Sequence, residues 1–388
     1  MRTEAIERVL RALEEIRAGK MVIVTDDEDR ENEGDLCMAA ELTTAEHINF
    51  MAKYARGLIC VSLSERRVEE LELPMMVRQN QASRGTAFTI SVEARQGVST
   101  GISAADRAHT IRTVVDPRTR PSDLVSPGHV FPLKARPGGV LQRTGHTEAS
   151  VDLARLAGFS SAGVICEIMK DDGTMARLPD LMDFAKEHQL HIVSVADLIQ
   201  YRMQTERLMR RVLEAPFPAA EGGAPWKVYL YESSVDERQI LAFTLGEMSE
   251  APTLVRVHTG HVLGDVFGAQ TQHRMRLGDA REAIEKEGCG VILYIPGQRS
   301  LMDELGEALG QAATGGEAQV DGAAVLREYG MGAQLLSDLG LRNIRILTNR
   351  PRRIPSLEGY GLHVSEQRTL DDLSRSASDF APESPTRH

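Results

Sequence analysis

What most constrains this chain is a break in its pattern. Residues 204–226, QTERLMRRVLEAPFPAAEGGAPW, start as a charged helix end and finish rich in Pro, Gly and Ala, the residues that interrupt regular structure. They divide 388 residues into two stretches of domain size: a first domain over 1–204 and a second over 227–365. Residues 205–226 are the expected linker, and 366–388, ending SRSASDFAPESPTRH, a polar mobile tail. In the first stretch, strands are expected over 21–25, 58–63, 87–93 and 163–169, with helices over 4–18, 44–55, 148–156 and 179–188. In the second, strands are expected near 227–231, 253–257, 290–295 and 343–347. Two mixed α/β (α+β) domains follow.

Composition narrows the class. Apolar residues make up 42% and charged residues 26%, ordinary for a soluble globular protein. A net charge of −11 opposes a broad basic surface for nucleic acid. No apolar run approaches the roughly 20 residues that cross a bilayer, so no membrane partner is expected. The N-terminus lacks the apolar core of a signal peptide. Instead Ile6, Val9, Leu10, Leu13 and Ile16 fall at helical spacing. The four cysteines, Cys37, Cys60, Cys166 and Cys289, form no C-x-x-C pair, which fits a reducing cytoplasm.

Asp26, Asp27, Glu28, Asp29, Arg30, Glu31, Asn32, Glu33, Gly34 and Asp35 follow the first strand, and seven of these ten are acids. Packed carboxylates repel unless neutralised, and a hard divalent cation does this with oxygen ligands. A solvated acidic turn has the same composition. The spacing is not that of an EF-hand.

Residues 137–153, PGGVLQRTGHTEASVDL, place Arg143, Thr144, Gly145, His146 and Thr147 at the start of a helix. Free N–H groups there attract anions, and Arg143 adds charge. Thr147 is the expected cap, and His146 is available as metal ligand or proton carrier. A capped helix with a surface histidine is the plainer alternative. The Ser99–Arg107 segment, STGISAADR, offers hydroxyls, a glycine and an arginine for a phosphate, or simply a turn before a helix.

In Val164-Ile165-Cys166-Glu167-Ile168-Met169, alternation puts Glu167 on the face of Ile165 and Met169. A partly desolvated carboxylate there suits general acid/base work; a sheet-edge glutamate reaching water is equally compatible. His129, in Ser126-Pro127-Gly128-His129-Val130, is a loop histidine.

Together DDEDRENEGD, LPMM, STGISAADRAHTI, PSDLVSPGHVFPL, GGVLQRTGHTEASVDLARLAG and DDGTMA closely resemble 3,4-dihydroxy-2-butanone 4-phosphate synthase, in family order across about residues 4–203. The resemblance implies conversion of ribulose 5-phosphate to 3,4-dihydroxy-2-butanone 4-phosphate and formate with Mg²⁺ (or Mn²⁺), by metal-assisted enolisation and skeletal rearrangement. It assigns Glu31 and His146 to the metal. Arg30, Glu31, Asp35, Arg143, Thr144, Gly145, His146, Thr147 and Glu167 go to the substrate. His129 and Glu167 are the essential residues, with Asp26 and Glu33 completing the acidic pocket. It also implies a homodimer with sites near the subunit interface.

Residues 227–365 resemble GTP cyclohydrolase II, through Arg256-Val257-His258, Gly264-Asp265-Val266-Phe267-Gly268, Tyr329-Gly330-Met331-Gly332-Ala333-Gln334-Leu335-Leu336 and Arg345-Ile346-Leu347-Thr348-Asn349. That family's catalytic zinc needs three cysteines spaced C-x10-C-x-C. Here those positions hold His261, Gln272 and Arg274, and Gln and Arg supply no thiolate. The family's Glu-Gly-Arg loop is not recognisable in 295–300. Its proton-accepting Asp, two positions before Arg327, is Val325. Thr348 and Arg353 remain near the nucleotide-binding positions that the resemblance implies. The expectation is a cyclohydrolase-like domain without zinc or activity. The alternatives are an altered metal site built from His258, His261 and His273, giving a bifunctional enzyme, or a non-catalytic binding or regulatory scaffold.

Overall fold

The apolar runs of the first half become one mixed seven-stranded sheet. Its strands are β1 (Val22–Thr25), β2 (Gly34–Ala39), β3 (Cys60–Leu63), β4 (Val92–Ala94), β5 (Leu124–Lys134), β6 (Ala162–Glu167) and β7 (His191–Ser194), in the order β4-β5-β3-β6-β2-β1-β7. The helices are α1 (Glu4–Arg17), α2 (Ala45–Phe50), α3 (Glu65–Glu70), α4 (Ala104–Val115), α5 (His146–Ala157), α6 (Leu178–His188) and α7 (Val195–Thr205). The computed structural model describes residues 4–218, 223–236, 238–248, 251–269, 275–297, 300–309, 322–349 and 361–370, and it divides into two compact units, Met1–Arg202 and Met203–His388.

Helix α1 buries Ile6, Val9, Leu13 and Ile16, the face its periodicity predicts, and each such side chain contributes about 1.5–3 kcal/mol on burial. The core continues through Ile23, Leu36, Met38, Val61 and Val164 of neighbouring strands. β1 is buried along its whole length and pairs antiparallel with β2, Thr25 opposite Gly34. The acidic run is therefore the loop of a hairpin. β2 in turn pairs antiparallel with β6, which sets Asp35 directly opposite Glu167.

The strand expected over 87–93 shrinks to Val92–Ala94, with only isolated bridges at Phe88 and Thr89. Strand β5 escaped the sequence pattern because it contains Pro127, Gly128 and Pro132. Its pairing with β4 is irregular: Val92 faces Val130, but Glu93 faces Val125. Residues 126–129, His129 among them, loop out between these pairs.

The second unit is also a seven-stranded mixed sheet: β8 (Met209–Pro216), β9 (Lys227–Ser233), β10 (Gln239–Leu245), β11 (Thr253–Thr259), β12 (Gly290–Ile295), β13 (Asn343–Leu347) and β14 (His363–Arg368), ordered β14-β13-β11-β12-β10-β9-β8. Helices α8 (Val262–Asp265), α9 (Leu277–Glu287), α10 (Leu301–Ala308) and α11 (Gly322–Asp338) accompany it. Trp226, Leu254, Ile284, Ile292 and Leu347 form its core.

Two boundaries need correction. The expected linker, 205–226, contains β8, which pairs antiparallel with β9. The edge of the sheet tolerates its terminal proline, and only the Pro/Gly-rich part after it is a connection. The expected tail, 366–388, begins inside β14; residues 371–388 lie outside the described residues. Among the described residues, no helix is long and apolar enough to cross a membrane.

Candidate active site

The acidic run splits into two sets. Asp27, Glu28 and Asp29 are exposed, whereas Asp26, Glu31, Glu33 and Asp35 turn inward. The Asp26 side chain is fully covered. Its carboxylate accepts hydrogen bonds from Arg30 Nη1 at 2.8 Å, the Glu31 N–H at 3.0 Å and the Glu33 N–H at 2.9 Å, so it ties the loop to the end of β1. From outside, Arg177 Nη1 donates to the Glu31 carbonyl at 2.7 Å and to the Asn32 carbonyl. The Arg84 guanidinium donates to the Arg30 carbonyl. Neither arginine was singled out from the sequence, because their partners are backbone atoms of a distant loop.

The second wall is the start of α5. The helix begins at His146, with Gly145 as an N-cap that supplies no side-chain bond. Thr147 therefore lies inside the first turn and does not cap it, which corrects the sequence expectation. The first N–H groups keep their positive end toward the cavity. Arg143 Nη1 meets Glu148 Oε2 at 2.6 Å. A Cβ at Gly145 would lie 2.4 Å from Arg143 Nη1 and 3.1 Å from Arg30 Nη2, so the glycine lets two guanidiniums approach the helix start. Thr144 is half-buried in the preceding turn.

The third wall is the paired ends of β2 and β6. Ile165 and Glu167 both face the cavity, as alternation predicts. Glu167 Oε2 accepts the Leu58 N–H at 2.9 Å. A Cβ at Gly57 would lie 2.7 Å from that oxygen, so this close approach also requires glycine. These walls enclose about 210 Å³, lined by Arg30, Glu31, Glu33, Asp35, Arg143, His146, Thr147 and Glu167 together with Cys60, Thr86, Phe88 and Leu133. The last four were not expected; they approach only through the sheet order.

The charges are coupled. The nearby His146 imidazole, and after it the Arg30 guanidinium, draws Glu31 down to about 2 against burial. Burial pushes Asp35 up to about 7, helped by Glu167, Glu31 and Glu33 and opposed by His146. For His146 burial acts downward, but Asp35, Glu31 and Asp26 outweigh it and raise the imidazole to about 9. Burial, then Glu31, raises Glu33.

The donor set fits a hard divalent ion. Ligand atoms of Asp26, Glu31 and His146 lie within 4.8 Å of one another, near twice a Mg–O bond of about 2.1 Å. His146 Nδ1 stands 3.7 Å from Glu31 Oε2 and 3.9 Å from Asp35 Oδ1, beyond hydrogen-bond length. His146 Nε2 and Asp35 Oδ1 are buried without a partner among the described residues. Asp26 was expected in the acidic pocket; the structure adds it to the ion-binding group.

Two sequence candidates fall elsewhere. His129 is 43% exposed, hydrogen-bonds through Nδ1 to Glu93 Oε1 at 3.0 Å, and is not among the cavity-lining residues. The turn at Ser99–Arg107 is closed by its own acid. Asp106 accepts from the Ser99 N–H and hydroxyl and from the Gly101 N–H, leaving those donors unavailable to a phosphate.

In the second unit, a cavity of about 170 Å³ includes Arg256, His258, His261, Asp265 and Arg276 in its lining. His258 Nε2 bonds Asp265 at 2.8 Å, and the Gly264 N–H donates to His261 Nδ1 at 2.9 Å. Gln272, His273, Arg274 and Arg353 lie outside the described residues, as do the side chains of Val325 and Arg327.

Comparison with known proteins places both units. Residues 10–201 match the 3,4-dihydroxy-2-butanone 4-phosphate synthase family, and residues 210–369 match GTP cyclohydrolase II. The chain is 52% identical over 375 residues to riboflavin biosynthesis protein RibBA of Aquifex aeolicus, covering 92% of this chain and 90% of that protein. It is 45% identical over 369 residues to monofunctional riboflavin biosynthesis protein RIBA 2, chloroplastic, of Arabidopsis thaliana, covering 93% and 77%. The crystal structure of RibBX, a two domain 3,4-dihydroxy-2-butanone 4-phosphate synthase from A. baumannii, superimposes with a TM-score of 0.77 at 43% identity, covering 93% of this chain and 98% of that one. This chain belongs to the family of riboflavin biosynthesis proteins that join a 3,4-dihydroxy-2-butanone 4-phosphate synthase domain to a GTP cyclohydrolase II domain.

Proposed function

We propose that the N-terminal cavity converts ribulose 5-phosphate to 3,4-dihydroxy-2-butanone 4-phosphate and formate. The observation that carries this is the pairing of Asp35 with Glu167 across β2 and β6, in the same cavity as Glu31 and His146. Arg30, Arg143 and the open N-terminus of α5 form the cationic wall that holds the phosphate. Asp35, raised to about 7 by burial, is suited to take and return a proton at a carbon beside the sugar's carbonyl. Glu167, fixed by the Leu58 N–H, holds a substrate hydroxyl on the opposite strand. Glu31 and His146, with Asp26 beside them, would hold Mg²⁺ (or Mn²⁺), which supplies Lewis-acid polarisation of the substrate's oxygens. The test is formate release from ribulose 5-phosphate with Mg²⁺, run beside Glu31→Ala and Glu167→Ala. A wild-type protein that releases none would favour a non-catalytic scaffold.

The C-terminal domain, in this proposal, carries no zinc and opens no GTP. Of four cysteines only Cys289 follows residue 166, so three thiolates are not available there. This reading is in keeping with an Arabidopsis relative named monofunctional and an A. baumannii protein named a two domain synthase; relatives named RibBA leave the bifunctional alternative as the rival. Zinc content and opening of the imidazole ring of GTP by the purified protein would decide for that rival.

A homodimer completes the proposal. His129, essential by resemblance, is exposed and absent from the lining of the cavity, a placement suited to serving a second copy. Mixing inactive Glu167→Gln and His129→Ala chains restores part of the activity if His129 acts across the interface. Separate sites predict no rescue.

A further inference from the structure

We infer that the C-terminal cavity is an oxyanion site, in which Arg256 and His261 hold a small ligand bearing a phosphate or carboxylate group. This rests on the proposal that the domain carries no zinc. The cavity lies where β11 ends and its chain turns into α8, beside the parallel strand β12. The crevice at the carboxyl ends of parallel strands is where open α/β sheets take ligands.

His261 is only 4% exposed. The Gly264 N–H donates to its Nδ1 at 2.9 Å, so Nδ1 carries no proton and the ring proton sits on Nε2. That N–H is buried and has no acceptor among the described residues. Arg256 supplies the second donor. Its Nη1 is bound to the Leu347 carbonyl at 3.1 Å, while its Nε is buried without an acceptor among the described residues.

The neighbouring carboxylates do not fill this role. Asp265 accepts from His258 Nε2 at 2.8 Å, from the His261 N–H at 2.9 Å and from the Leu277 N–H at 3.1 Å. Glu304 Oε2 accepts from the Leu263 N–H at 3.1 Å and stands 3.8 Å from His261 Nδ1, too far for a hydrogen bond. Two N–H groups in one cavity, one of them cationic, are satisfied together by acceptor oxygens that carry negative charge. The same arrangement disfavours a metal, since the ring nitrogen that lacks a proton already accepts a backbone N–H.

The test is calorimetric titration of the full chain with inorganic phosphate, without divalent ions. His261→Asn keeps an acceptor for the Gly264 N–H but removes the Nε2 proton donor. Arg256→Lys keeps the charge but removes Nε. Each is expected to weaken one phosphate site by about tenfold, while Arg143→Ala leaves that site unchanged. Competition by formate would show that the site also takes carboxylates, and its failure that the ligand is a phosphate. Melting curves check that both variants fold. The inference is overturned if phosphate shows no saturable binding, if both folded variants bind it as wild type does, or if Arg143→Ala alone abolishes it. Bound zinc with GTP ring opening would instead overturn the proposal on which the site rests.

Discussion

Each unit sets buried histidine beside carboxylate, but at different spacing. In the first, His146 Nδ1 stands 3.7 Å from Glu31 Oε2 and 3.9 Å from Asp35 Oδ1. In the second, His258 Nε2 lies 2.8 Å from Asp265 and His261 Nδ1 lies 2.9 Å from the Gly264 N–H. The longer spacing leaves room for an ion among groups that repel or orphan one another without it. The shorter spacing spends those nitrogens on hydrogen bonds. Similar residue types thus yield an ion-binding site or a hydrogen-bonded knot, according to whether the acceptors already sit at bonding distance.

The comparison breaks most sharply at Glu167. Glu167→Gln is expected to lower kcat for formate release by about 10²- to 10⁴-fold with little change in melting temperature. An unchanged kcat would remove the paired carboxylates from the mechanism.

Protons sharpen the comparison next. A metal must displace the proton that His146 holds up to about 9, so Mg²⁺ affinity is expected to climb by at most about tenfold per pH unit between pH 6.5 and 8.5. Calorimetry in buffers of different ionisation enthalpy reads the released proton. Without metal the sign reverses. The stability that protonated His146 contributes is complete below about 6.5 and is lost as pH rises through about 9. Melting temperatures should therefore fall over that window in chelator and less so in Mg²⁺; the same slope with and without metal would contradict the assignment.

Gly145→Ala tests the cationic wall. The new Cβ would meet Arg143 Nη1 at 2.4 Å, the end of a flexible side chain, so the fold survives and the guanidinium moves. A rise in KM of about tenfold with a smaller change in kcat is expected. Equal loss in both would place Arg143 in the chemistry instead of in phosphate binding.

The smallest effect is expected at Arg177, whose guanidinium donates to two loop carbonyls and stands 3.8 Å from Glu33 Oε1. Arg177→Ala should raise KM by about two- to tenfold by loosening the loop, and unchanged steady-state kinetics would show that Asp26 alone suffices.

Much of this site was legible along the chain because its parts are local. The helix start around Arg143–Thr147 and the alternation that turns Glu167 inward depend on residues a few positions apart. The identity of the cap was not legible, since Gly145 and Thr147 differ only in where the first helical turn closes. β8 was hidden because its terminal proline runs into a Pro/Gly-rich stretch and reads as part of a linker until β9 pairs with it.

The sequence by itself determined an acid-rich segment after a buried strand, an arginine-flanked glycine before a helix, a carboxylate inside an apolar strand, and too few cysteines for a three-thiolate centre in the second half. Only the tertiary structure decided which acids turn inward. Asp27, Glu28 and Asp29 face solvent, while Asp26, Glu31, Glu33 and Asp35 face the interior. Composition cannot separate them, because a carboxylate's role depends on the donors that reach it. Here those donors are the backbone of its own loop, His146 on a distant helix, and a sheet register that sets Asp35 against Glu167.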